Sequence, residues 1–127
     1  TIVREIFKKL LSDMGDVAAR KEISRLQPLE RASLAQLLIS HAQQKPNQIK
    51  PFRALTEIAT IDGSAAESFR ALVARIPRAE LPPALAIEIQ SLATKPNALG
   101  EACRAITNDF AEDNKTLFGK ALKQKQR

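Results

Sequence analysis

The sequence predicts an all-α fold of about seven helices, in a compact or slightly superhelical stack. Three observations carry that expectation. Ala, Leu, Gln, Glu, Lys and Arg dominate while aromatic residues make up only 4%, a mixture that favours helix and is poor in strand formers. Apolar residues recur at alternating steps of three and four. Prolines fall between these periodic segments, where they stop one helix and open the next.

The first segment, IVREIFKKLLSDMG, places Ile2, Val3, Ile6, Phe7, Leu10, Leu11 and Met14 on one broad stripe. Gly15 supplies a stop. Asp16 is the expected N-cap of a short second helix reaching about Leu26, with Val17, Ile23 and Leu26 inward. Pro28 suits the first turn of a third helix, LERASLAQLLISHAQQ, which must end before Pro46. This helix is apolar over more than half its circumference and is expected to be central.

Pro51 opens a fourth helix, PFRALTEIATI, closed by Asp62 and Gly63. Ser64 and Glu67 have the spacing of a capping box for a fifth helix, with Ala65, Phe69, Leu72, Val73 and Ile76 inward and Pro77 at its end. Pro82 and Pro83 precede the sixth, ALAIEIQSLAT. Asn97 caps the seventh, whose inward residues are Leu99, Cys103, Ile106 and Phe110. The pattern blurs at Asp113 and Asn114 and resumes weakly with Leu117, Phe118, Ala121 and Leu122.

One internal echo stands out. KPN occurs at 45–47 and again at 95–97, followed by an aliphatic residue (Ile49, Leu99) and then by RALT at 53–56 or RAIT at 104–107. Leu34-Ala35 matches Leu85-Ala86, and Arg25-Leu26 matches Arg75-Ile76. The echo predicts a duplicated three-helix unit of about 50 residues, with copies at 1–47 and 48–97 and a partial third at 98–127. The logic is that of stacked helical repeats, each unit burying its face on the next. In that reading KPN is a joint: a proline stop, a capped restart and a core stripe.

Length and charge narrow the function classes. A chain of 127 residues makes one domain with its own core, here 1–127, expected to be part of a larger protein because it begins with Thr. The formal charge is +6, but five of the 20 basic residues and none of the 14 acidic ones lie beyond position 114. The body is therefore nearly neutral, and Lys115, Lys120, Lys123, Lys125 and Arg127 carry the excess. Those five are the candidates for nucleic-acid contact, although single-strand binders usually pair charge with stacking aromatics. A lone cysteine forms no internal disulfide, and no signal peptide or membrane-length apolar run is visible, so the cytoplasm is the expected location.

Catalytic chemistry finds few carriers. One His and one Cys cannot build a four-ligand zinc site. His41 reads as a cation near a helix C-terminus, and Cys103 as a small core hydrophobe. GSAAES at 63–68 lacks the second Gly and the Lys of a phosphate loop. Asp109, Glu112 and Asp113 read as a solvated acidic face. The stretch around Arg53 is similar in part to the arginine-finger helix of the bacterial GTPase-activating toxins, Gly-x-Leu-Arg-x-x-x-Thr. Here Lys50 replaces the Gly, Phe52 replaces the Leu, Thr56 falls one residue early, and the Gln- and Gly-rich second loop is missing. That role is not carried over.

The expected function is a non-enzymatic protein-interaction module, with no cofactor and no metal. It would bind a partner helix or peptide in a groove between helical repeats. Arg53, Arg70 and Arg104 are the candidate rim residues. The alternatives are nucleic-acid binding led by the basic tail, and a helical enzyme or regulator whose site carries no recognisable motif.

Overall fold

The computed structural model describes residues 2–12 and 15–113, with backbone alone at 112 and 113. Among the described residues there are seven α-helices: α1 (Ile2–Leu11), α2 (Asp16–Ser24), α3 (Pro28–Gln44), α4 (Ile49–Ile61), α5 (Ser64–Arg75), α6 (Pro83–Leu92) and α7 (Ala98–Asp113). A short 3-10 turn at Arg78–Glu80 stands between α5 and α6. No strand occurs among these residues, and none of their helices is long and apolar enough to cross a membrane. The basic positions 115, 120, 123, 125 and 127 lie outside the described residues, as does the Leu117–Leu122 pattern.

Local chemistry explains most boundaries. Pro28 and Pro83 each occupy the first turn of a helix, where the missing N–H has no intrahelical partner to lose. Asn97 caps α7, its Oδ1 accepting from the Gly100 N–H at 2.8 Å. Ile76 is extended (φ −94°, ψ 131°) because the following Pro77 disfavours the helical region. At the start of α3, the Glu30 carboxylate reaches back to accept from the Gln27 N–H at 2.8 Å.

Four expectations are corrected. Val17 is 75% exposed rather than inward. It lies six residues before buried Ile23, about 120° away around a helix that turns about 100° per residue, and Ala19 takes the inward place. Asp16 is the first helical residue of α2, with Gly15 at the cap. The Ser64–Glu67 capping box does not form; instead Asp62 Oδ1 accepts from the Ser64 N–H at 3.1 Å and the Ser64 hydroxyl at 2.8 Å. These bonds stabilise the charged carboxylate and hold Asp62 below the ordinary Asp range.

The fourth correction concerns the centre. α4, not α3, touches every other α-helix. Pro51, Phe52, Ala54, Leu55, Thr56, Ile58 and Ala59 are all buried on it. The helix begins two residues before Pro51, which costs no hydrogen bond because N–H groups of the first turn have no partner four residues back. Thr56, the one buried polar residue of the described core, has its hydroxyl satisfied by the Arg53 carbonyl at 2.6 Å.

Around α4 the packing is ordered along the chain. α1 touches α2, α3 and α4, and α2 and α3 each also touch α4. α4 in turn touches α5, α6 and α7, and α5 and α6 each also touch α7. α3 additionally carries α5 on its flank. The buried side chains form one cluster from Ile6 to Ile106.

Candidate functional site

Two adjoining hollows lie at the α5–α7 end of the stack. The first, about 260 Å³, runs along α6. It is lined by Leu81, Pro82, Pro83, Leu85, Ala86 and Ile89, with Phe110 of α7 and Arg78 closing one side. The paired prolines stop α6 from starting earlier, so an extended apolar segment, rather than another helical turn, forms this wall. The second hollow, about 520 Å³, lies between the end of α5 and α7. Val73, Ile76, Pro77 and Ile106 contribute apolar surface, and Arg70, Arg75 and Arg78 bring three guanidinium groups. Arg78 and Phe110 line both hollows, which makes them neighbours.

Arg78 is held firmly between them. Its guanidinium stacks 3.9 Å from the Phe110 ring centroid and donates to the Phe110 carbonyl at 3.3 Å and the Asp109 carbonyl at 3.2 Å. Arg78 is absent from the residues that sequence reasoning singles out. It stands beside a proline turn, 32 residues from the Phe110 carbonyl it meets, and no periodic pattern links the two.

The three arginines singled out in the sequence each link two separate parts of the chain. Arg53 on α4 pairs with Glu88 on α6 and lines a small polar hollow with Asp16, Thr56, Glu57 and Ser91. Arg70 on α5 lies 3.9 Å from the Asp109 carboxylate on α7. Arg104 on α7 donates to the Ala93 and Lys95 carbonyls, at 2.8 and 3.1 Å, and so secures the joint after α6. Of the three, only Arg70 lines the double hollow.

The two KPN joints also differ. Asn97 caps α7, whereas α4 starts from Gln48 without a side-chain cap. After the second joint comes Gly100, where a Cβ would stand 1.9 Å from the Lys95 carbonyl oxygen. Only glycine permits so close an approach of α7 to the preceding turn.

The remaining chemical candidates are accounted for within the fold. Cys103 is fully buried, and burial pushes its thiol up to about 11, against a smaller opposing pull from Arg104. His41 Nε2 is 3.1 Å from the Gln48 side-chain oxygen, and its ring meets Phe7 edge-on with centroids 5.8 Å apart. Among the described residues no group of three His, Cys, Asp or Glu side chains converges as a metal site would require. The chain matches no protein-family model, no curated protein and no solved structure.

Proposed function

We propose that this chain is a non-enzymatic protein-interaction module, and that it binds a partner helix in the open groove along α6. Its helices are read as a three-helix unit used twice and begun a third time. One observation carries the reading. The contacts that α1, α2 and α3 make among themselves and with α4 are repeated, three helices later, by α4, α5 and α6 among themselves and with α7. Only the contact of α3 with α5 is left over; its counterpart would be a helix lying on α6.

The side chains keep the same register. Ile23 and Val73, Leu26 and Ile76, Leu34 and Leu85, Leu38 and Ile89, and Leu55 and Ile106 are buried pairs separated by about 50 residues. Arg20 of α2 pairs with Glu57 of α4 at 2.8 Å, and Arg70 of α5 approaches Asp109 of α7 at 3.9 Å. Each unit of such a stack normally buries its face on the next, and among the described residues no helix takes on α6 the seat that α5 takes on α3. The seat here is floored by buried Leu85 and Ile89 and offers a partner helix exposed Pro83 and Ala86, with half-buried Leu81 and Phe110 at its sides.

The test is direct. A helical peptide of residues 64–76, which carries the inward face of α5, is titrated into the isotope-labelled chain. Amide shifts are expected around Leu81–Ile89 and Phe110. Shifts absent there, or spread over α1 to α3 instead, would overturn the reading.

A further inference from the structure

Arg78 and Phe110 stand where the two hollows meet, and the contact between them bears on whether the α6 groove is open. Resting on the interaction reading above, we infer that Arg78 is a positioning residue. It holds the Phe110 ring at the side of the groove, and on its release the ring turns inward and closes the seat to a partner helix.

Three contacts make the hold. The Arg78 guanidinium lies over the ring, 3.9 Å from its centroid, and donates to the Phe110 carbonyl at 3.3 Å and the Asp109 carbonyl at 3.2 Å. The attraction of a cation to the ring face fixes the side chain. The two carbonyl bonds fix the guanidinium on the same turn of α7 that carries the ring. Arg78 itself sits in the 3-10 turn that follows Pro77, where the pyrrolidine ring restricts the backbone.

The opposing pull is hydrophobic. Phe110 is half-buried, so part of its ring still meets water. The hollow beside it measures about 260 Å³, and a cavity of about 150 Å³ already admits benzene. Exposed Pro83 and Ala86 and half-buried Leu81 offer an apolar rest for the ring there. A phenylalanine within a helix has two common χ1 rotamers, near 180° and −60°, so the ring can change place while the backbone stays.

The first copy lacks both parts of this device. In the register that sets Leu34 against Leu85 and Leu55 against Ile106, the counterparts of Arg78 and Phe110 are Gln27 and Ala59. Neither a cation nor a ring is present there, and α5 already lies on α3. The latch belongs only to the seat on α6.

Three variants test it: Arg78→Gln, Phe110→Ala and the double variant, each checked by its circular dichroism melt. Gln keeps a donor for the carbonyls but takes the cation from the ring. Arg78→Met, which keeps the packing of the stem, serves in its place if the Gln chain melts early. Two quantities are read. One is the affinity of a fluorescent peptide of residues 64–76, by anisotropy. The other is the nuclear Overhauser contact between the Phe110 ring and the Ala86 methyl group, without peptide.

Arg78→Gln is expected to gain the ring–methyl contact and to bind the peptide about fivefold more weakly, as a groove closed roughly 80% of the time would. The double variant should bind like Phe110→Ala alone, because no ring remains to close the groove. A merely structural Arg78 would weaken binding by the same factor with or without the ring, and that result would overturn the inference. So would the absence of the ring–methyl contact in Arg78→Gln. If the peptide binds nowhere along α6 of the parent chain, the interaction reading falls by itself; the ring contact, which needs no peptide, still supports or sinks the latch.

Discussion

Ala35 on α3 and Ala86 on α6 each follow a buried leucine, Leu34 and Leu85, yet Ala35 is buried and Ala86 is exposed. α3 touches α1, α4 and α5, whereas α6 touches α4 and α7. A larger side chain should therefore have opposite consequences at the two positions. Ala35→Gln overpacks a closed interface and is expected to cost about 1–3 kcal/mol. Ala86→Gln faces the open groove and should stay within about 0.5 kcal/mol of the parent. Urea unfolding of the two variants measures the difference.

Asp62 replaces the expected capping box at the start of α5. Asp62→Ala removes the acceptor for both Ser64 donors and is expected to cost about 1 kcal/mol. Glu67→Gln should have little effect, since Glu67 makes no capping bond. Because the native carboxyl titrates below its ordinary value, its contribution is present above the unfolded Asp range. It is lost as pH falls through the native value. Comparing Asp62→Asn with the parent in acid unfolding checks the sign.

Gly100 makes the tightest backbone approach of the described glycines. An alanine in a helix normally gains stability over glycine. Here the Cβ would meet the Lys95 carbonyl oxygen at 1.9 Å and the Leu92 carbonyl oxygen at 3.2 Å. Gly100→Ala must push α7 away from the α6 joint, with an expected loss of about 2 kcal/mol or more. Gly15→Ala is the control: nothing lies within 4 Å of its Cβ position, and its melting temperature should barely move.

Cys103 should be inert to thiol reagents at pH 8 in the folded chain and react at once when unfolded. The thiolate is the reactive form, and burial disfavours it. The native thiol titrates near 11 against a reference of 9.0. Its contribution to stability is therefore full below about pH 9 and is lost as pH rises to about 11. The stability gap between the parent and Cys103→Ala is expected to narrow across that window in denaturant titrations.

Much of the fold is legible in the residues. The prolines mark the joints, and the stripes of α1, α5 and α7 name the core positions Ile6, Phe69, Leu72, Cys103 and Ile106. The departures have a common cause, a local signal outweighed by a neighbour. Val17 reads as inward because it is apolar, but its helix is short and too few turns exist to define a face. The Ser64–Glu67 spacing fits a capping box, but Asp62, two residues before Ser64, takes the Ser64 N–H and hydroxyl with a shorter and stiffer side chain. Of the candidate binding residues, Arg53 and Arg104 look alike in the RALT and RAIT stretches, yet one meets a carboxylate and the other two carbonyls. Arg78, which lies at the centre of the double hollow, carries no motif at all.

Residue order alone makes the chain helical, breaks its helices where the prolines stand and marks the stripe most of them bury. Those properties depend on neighbours within one or two turns, and 3.6-residue periodicity, capping and proline chemistry act over that range. Packing in three dimensions makes α4 the hub, chooses which arginine meets which acid, and, among the described residues, gives α6 only α4 and α7 as neighbours where α3 has α1, α4 and α5. These outcomes depend on partners dozens of residues apart. An apolar stripe states only that something must cover it; which helix does so, and which stripe is left uncovered, is settled by packing alone.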